Sequence, residues 1–421
     1  MIATLNDLDI LSANIRNAYL NASTKDKVHT ICGIEFGHNN IGRIAVISRA
    51  LYGLKSSGAA WRTTLASTLN ESGFKLTLVD PDVWMRPTTK EDGTEYYEYI
   101  FVYVDETLAI SEKPSIIIKG IGDVYRLKKG SVLRPTSYLG ATIKENKLPD
   151  RPNKIVWSMS ADKYVKEAIT TLEIDLLSQD FKLTSNIHTP LATSYRPESD
   201  FLPLLDDDHL NWYQQLIGVL RWTVELSRID THLSMALLAQ YLAQPRVGHL
   251  HQAFCVFAYL KTHPRSRIIL DDSGPYVYEE QFTKVDWTSF YPDAHESIPI
   301  NAPPPRGNQI LISCFVDSDH AGNHIMHRSR TGIIIFCNQA LIICYSKHQN
   351  TVEMSSFGSE CITLKNAVEM IEAQCYKLCM VGIPITGPAN IYCDNNSVVN
   401  NTTILESTLN KKHNSITYHK V

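Results

Sequence analysis

The sequence predicts a chain of several domains: an α+β region first, a helical stretch next, and an α/β region last. Three observations carry this. Glu95-Tyr-Tyr-Glu-Tyr-Ile-Phe-Val-Tyr103 is dense in aromatic and β-branched residues and reads as a strand, with Thr107-Leu-Ala-Ile-Ser111 as a second strand after it. Between about 150 and 270, apolar residues recur at helical spacing in the stretches 213–222, 229–238 and 251–261. Beyond a proline-bearing segment the pattern becomes strand, hairpin, long helix, strand, helix. The 421 residues match a length of roughly three domains. The expected division is 1–150, 151–270, a linker over 271–307, and 308–421.

Taken in order, Leu8-Asp-Ile-Leu-Ser-Ala-Asn14 begins as a strand and turns at the polar stretch from Asn14 to Asn17. A short apolar strand starts at Ile44, and a glycine- and serine-punctuated turn follows it. Next comes a helix capped by Ser56 or Ser57, with Trp61, Leu65 and Leu69 at i, i+4 and i+8. Gly73 is placed to stop it. Asp80-Pro-Asp82 reads as a turn with solvated acids. The segment 271–307 holds Pro292 and Pro303-Pro-Pro305 without a sustained period, which marks a linker. In the last region, 310–316 is a strand running into Asp317-Ser-Asp319. A hairpin then joins 331–336 to 341–345. The helix near Ser359 to Met380 carries Leu364, Val368, Ile371, Cys375 and Leu378 on one face. Asn390-Ile-Tyr-Cys-Asp394 is a strand ending in an acid, with a helix start beyond it.

Composition narrows the function classes. A hydrophobic share of 44% and a charged share of 20% are ordinary for a globular protein. A net charge of −4 argues against an overall basic nucleic-acid binder, while leaving room for local basic grooves. The nine cysteines include no CxxC pair, which fits free thiols in a reducing compartment. Cys375 and Cys379 have helical spacing but no accompanying ligand set, so they read as core. The first residues are polar and acidic, unlike a signal peptide, and no apolar run reaches membrane-span length.

The stretch Tyr103-Val-Asp105-Glu106 sets two acids at the tip of a hairpin with apolar arms. Carboxylates there are costly unless paired or metal-bound. The residues allow two readings, an ordinary acidic turn or a cation site.

Asn17-Ala-Tyr-Leu-Asn21, Arg49-Ala-Leu-Tyr-Gly-Leu-Lys55, Ala60-Trp61, Asp80-Pro-Asp-Val-Trp84 and Tyr103-Val-Asp-Glu106 occur in this order. Together with Ser137-Tyr-Leu-Gly140 they resemble the reverse transcriptase of copia-type long-terminal-repeat retrotransposons. The resemblance implies an α+β polymerase palm, here incomplete, with the acidic hairpin at its active centre. The middle resembles that family's thumb and helical connection, which grip the template-primer. There Arg221, Arg228 and Lys261 are candidates for phosphate contact or a solvated face. Phe315-Val-Asp317-Ser-Asp-His-Ala-Gly322, Ser346-Lys-His-Gln-Asn-Thr-Val352, Ser359-Glu360 and Cys393-Asp-Asn-Asn-Ser-Val398 are similar to the same elements' ribonuclease H. That implies an α/β ribonuclease H-like domain with a mixed sheet.

By this resemblance both sites use two magnesium ions, with manganese as an alternative. The palm supplies an acid on its first strand and an acid pair on the hairpin. The matching residues here are Asn14, Asp105 and Glu106. Asn14 brings no charge, and Glu106 adds a methylene. Asn17-Ala-Tyr-Leu-Asn21 anchors this register against the alternative acid Asp9. The nuclease residues are Asp317, Glu360 and Asp394, with Ser415 where a fourth acid is usual. His413 is a candidate for proton transfer or product release, or a surface histidine. The expected metal ligands are therefore Asp105, Glu106, Asp317, Glu360 and Asp394. The implied partners are an RNA template, an RNA–DNA hybrid and deoxynucleotide triphosphates, with no membrane. The implied location is intracellular, cytoplasmic or nuclear. The resemblance further implies absent fingers and a shortened last helix, hence a degenerate copy with an inactive polymerase. Two alternatives stay open: only the ribonuclease H part cleaves hybrids, or the chain is a non-enzymatic nucleic-acid-binding remnant.

Overall fold

A computed structural model describes residues 1–24, 26–178, 180–275, 287–289, 292 and 298–404. After a one-turn helix α1 (Ile2–Leu5) the chain enters β1 (Asp9–Asn14). A two-stranded ribbon, β2 (His29–Ile31) with β3 (Ile44–Val46), leaves Ile31, Ile44 and Val46 exposed. Helix α2 (Ser57–Glu71) follows, then β4 (Lys75–Leu76), β5 (Val83–Thr89), β6 (Glu95–Tyr103), β7 (Glu106–Ser111) and α3 (Pro114–Val124). The five strands form one sheet, order β1-β7-β6-β5-β4, antiparallel throughout. β7 is buried along five of its six residues because both sheet faces are covered. On one face Trp61, Leu65 and Leu69 of α2 and Ile117, Ile118 and Ile121 of α3 meet Ala13, Ile100 and Ala109. On the other, Ile10, Val83, Met85, Tyr97, Tyr99, Leu108 and Ile110 pack with Trp157.

The serines before α2 do not cap it as expected. Ser56 Oγ is bonded to the Asp26 carboxylate, and Ser57 Oγ–H donates to the Leu51 carbonyl at 2.6 Å. Both hydroxyls hold the preceding loop instead. Gly73, at φ +83°, takes the left-handed position after the helix.

A second antiparallel sheet, order β11-β10-β9-β8, joins β8 (Ser137–Tyr138), β9 (Ala141–Leu148), β10 (Arg151–Ser160) and β11 (Arg267–Ile269). The β9–β10 hairpin straddles position 150. Residues from 151 therefore open as strand rather than helix, since Ile155-Val-Trp157 favours an extended chain. The helical pattern then materialises as α4 (Asp162–Leu177), α5 (Asp207–Leu226), α6 (His232–Leu238) and α7 (Val247–Thr262) around Val165, Leu220 and Phe257. Arg228 is 1% exposed and forks onto Asp230 at 2.9 and 2.7 Å, so it offers no surface for phosphate. Lys261 is paired with Glu173 at 2.5 Å, while Arg221 is exposed.

The last region comprises β12 (Ile312–Asp319), β13 (Arg330–Cys337), β14 (Ala340–His348), α8 (Ser356–Met380), β15 (Asn390–Cys393) and α9 (Asn396–Thr403). Its sheet runs β14-β13-β12-β15 and is mixed, because β15 lies parallel to β12. Helix α8 is capped by Ser355 and buries Cys361, Leu364, Ala367 and Ile371 against Cys314, Val316, Ile333 and Ile335.

The described part of 271–307 is held at both ends. Asp272 meets Arg151 at 2.9 Å and Lys154 at 2.6 Å. Further on, Tyr97 Oη–H donates to the Pro304 carbonyl at 2.8 Å, and Arg306 pairs with Glu95 at 2.9 Å. The segment shows no period because its partners lie on other elements rather than along itself. Tyr99 Oη–H also reaches the Val381 carbonyl at 2.6 Å, so the first and last regions abut. Among the described residues no helix is long and apolar enough to cross a membrane.

Candidate functional site

Two acidic clusters emerge, one on each outer sheet. The first sits at the β6–β7 hairpin. Tyr103 pairs with Glu106, so the turn consists of Val104 and Asp105 alone. Two-residue hairpin turns favour positive φ, and Val104 adopts +55°, a costly conformation for a β-branched residue. The turn is held in place: Trp61 Nε1–H donates to the Val104 carbonyl at 2.5 Å, and Ile15 N–H to the Asp105 carbonyl at 2.7 Å.

Glu106 also faces Asn14 across β1 and β7, so Asn14, Asp105 and Glu106 do come together. Asp9 lies at the far end of β1, opposite Ser111, and pairs with Arg134 at 2.9 Å. The neighbour that sequence reasoning missed is Lys128. Its Nζ is 2.6 Å from Asp105 Oδ2, and its N–H donates to the Asn14 carbonyl at 2.8 Å. No motif marks it; the chain after α3 simply returns to this edge. Burial pushes the Glu106 carboxyl above the ordinary range, Asp105 adds to that, and Lys128 opposes it. A hard divalent cation needs anionic oxygens. Here it meets a neutral amide, a lysine-paired carboxylate and one further carboxyl, so the anionic oxygens are too few. These residues do not fit two divalent ions.

The second cluster lies on the mixed sheet. The parallel pairing sets Val316 opposite Cys393, so Asp394, the first residue past β15, follows near the level of Asp317 on β12. Glu360, early in α8, is 4% exposed and projects to the same end. Its Oε1 accepts from Ser318 N–H and Ser318 Oγ–H, both at 3.0 Å. Its Oε2 is buried with no hydrogen-bond partner. Ligand atoms of Glu360, Cys393 and Asp394 all lie within 4.8 Å of one another. Asp317 lies outside that set but acts on it electrostatically. Burial raises the Glu360 carboxyl most, and Asp317 and Asp394 raise it further. Ser359, beside Glu360, lies against the same Ser318 hydroxyl, Oγ to Oγ 2.8 Å.

A buried acceptor without a donor, crowded by further carboxylates, fits a divalent cation. Ser415 and His413 lie outside the described residues. Sequence reasoning missed Cys393 as a neighbour at ligand distance, and Ser318 as the anchor of Glu360. Strand alternation would turn Cys393 and Asp394 to opposite faces. β15 ends at Cys393, so the rule lapses between them.

Residues 1–146 match the profile of the reverse transcriptase (RNA-dependent DNA polymerase) family. The chain is similar to the retrovirus-related Pol polyprotein from transposon RE1 of Arabidopsis thaliana, 23% identical over 92% of this chain and 23% of that protein. It is similar to the corresponding polyprotein from transposon TNT 1-94 of Nicotiana tabacum, 20% identical over 98% of this chain and 28% of that one. A transposon Ty5-1 protein of Saccharomyces cerevisiae is 26% identical over 84% of this chain and 99% of its own length. The chain thus spans about a quarter of the length of the plant polyproteins it matches.

Proposed function

The chain being a relative of copia-type retrotransposon Pol polyproteins with a reverse transcriptase region at its start, we propose that its last region is a ribonuclease H centre acting on RNA–DNA hybrids. We propose with it that the hairpin site does not synthesise DNA. In this reading residues 1–150 descend from a polymerase palm, 151–270 from a thumb and connection, and 308–421 from the nuclease.

The observation that carries the nuclease reading is the unpartnered Oε2 of Glu360 beside Asp394. Bound magnesium or manganese would supply charge neutralisation and an activated water at the scissile phosphate. The chain's own residues do the rest. Ser318 holds one Glu360 oxygen through its hydrogen bonds and leaves the other without a donor. Asp317 and Asp394 are exposed, where a strand of the hybrid can approach. The single acid at the hairpin turn, by contrast, is held by Lys128.

The test is cleavage of an end-labelled RNA–DNA hybrid by the full chain in magnesium and in manganese. Cleavage is expected, confined to the RNA strand, and Asp394→Asn should lower its rate by about a hundredfold or more. A variant that cleaves as fast as the parent would assign the activity to another site or to a contaminant.

A further inference from the structure

We propose that Cys393 is itself a metal ligand, so that the Glu360–Asp394 centre also takes a borderline-soft divalent cation such as zinc or cobalt. The inference concerns the site assigned above to hybrid cleavage, but rests on the donor geometry and not on that activity.

The sulfur of Cys393 and carboxylate oxygens of Glu360 and Asp394 lie mutually within 4.8 Å. Zinc–sulfur and zinc–oxygen bonds of about 2.3 and 2.0–2.2 Å set tetrahedral ligand atoms about 3.5 Å apart. The three donors therefore need to close by at most about 1.3 Å, within reach of side-chain rotation at the end of a strand. Glu360 brings the independent sign of a missing partner, an Oε2 that is fully buried and bonded to nothing. Its other oxygen is held by Ser318, so exchanging the two oxygens would break the hydrogen bonds that hold it.

The donor types then decide the metal. Carboxylates alone suit magnesium or manganese, whereas a thiolate with carboxylates suits zinc and cobalt and leaves one position for water. Among the described residues no other cysteine belongs to a comparable group of three. The reaction is ligation without redox change. The sulfur–metal bond forms as the thiol proton passes to solvent, and the metal remains divalent. Zinc bound in this way occupies the oxygens that a hard cation would use, so zinc and magnesium compete.

Cobalt reports the ligand directly. Titration of the full chain should produce a thiolate-to-cobalt charge-transfer band that saturates at one equivalent and is displaced by zinc. Cys393→Ser should lose the band and bind cobalt about tenfold or more weakly. In the parent chain, cobalt should also slow alkylation of Cys393, read by peptide mass spectrometry, a measurement that requires no variant to fold. A band of equal intensity in Cys393→Ser, cobalt binding without any such band, or unchanged alkylation of Cys393 would each overturn the proposal. A parent chain with the band but no hybrid cleavage would remove the nuclease reading and leave this one. Cleavage without the band would do the reverse.

Discussion

Lys128 Nζ stands 2.6 Å from Asp105 Oδ2, a contact made across 23 residues of sequence. It gives the carboxylate at the hairpin turn a cation from within the chain. Both groups are partly exposed, so the pair adds little to stability. Its consequence is for metal binding: any divalent ion must compete with a tethered ammonium.

The parent chain should not extend a primer on an RNA template in magnesium. Asn14→Asp with Glu106→Asp should strengthen divalent-cation binding measured by calorimetry, and adding Lys128→Met should strengthen it further by releasing Asp105. Removing one electrostatic element of such a site commonly costs about a hundredfold or more in rate, and here several are altered together. Robust synthesis by the unmodified chain would mean that the active acids lie elsewhere.

Glu360→Gln should raise stability at neutral pH. Burial, Asp317 and Asp394 raise the Glu360 carboxyl in the folded protein above its unfolded value. The folded state therefore holds its proton to higher pH than the unfolded state. Stability is lost as pH rises between the two values, and the full loss persists above the folded one. The uncharged variant escapes it. Its melting temperature at pH 7 should exceed that of the parent by roughly 1–3 °C. The difference should vanish in acid, where the parent is protonated. Manganese should close the gap from the other side by stabilising the parent alone. A variant that melts lower than the parent at pH 7 would show that the charge is well compensated without metal.

Val104→Gly should stabilise the hairpin. Val104 holds φ +55°, where a branched side chain is strained and glycine is not. The hydrogen bond from Trp61 goes to the backbone carbonyl and survives the change. A gain of roughly 0.5–1 kcal/mol in urea unfolding is expected, since the strain released exceeds the lost contacts of a half-buried methyl pair. A loss of stability would show that the side chain's packing outweighs the strain.

Tyr97 and Tyr99 tie the first sheet to the last region through the carbonyls of Pro304 and Val381. Replacing both by Phe leaves the two acceptors without these donors, at about 1 kcal/mol or more each. All six tryptophans lie before residue 308, so their fluorescence follows the earlier regions, whereas circular dichroism follows the whole chain. The two signals should unfold together in the parent and separate in the Tyr97→Phe, Tyr99→Phe chain. Coincident transitions in both would mean that other contacts couple the regions.

What the sequence determined by itself was local. The aromatic strand 95–103, the helix with Trp61, Leu65 and Leu69 inward, and the apolar face of α8 all follow from residue spacing, because burial on one face imposes a period of two or 3.6 residues. The acids Asp105, Glu106, Asp317, Glu360 and Asp394 were picked out by the order of their motifs and the family resemblance those carry, and they stand at or near strand and helix ends. Only the tertiary structure decided what those acids meet. Lys128 reaches Asp105 from beyond α3, Arg228 turns inward to Asp230, Ser318 takes one oxygen of Glu360, and Cys393 comes within ligand distance of the other two members of its group. None of these pairs has a periodic signature in the chain. They depend on which strands lie side by side and on where each one stops, and those are set by the packing of whole layers.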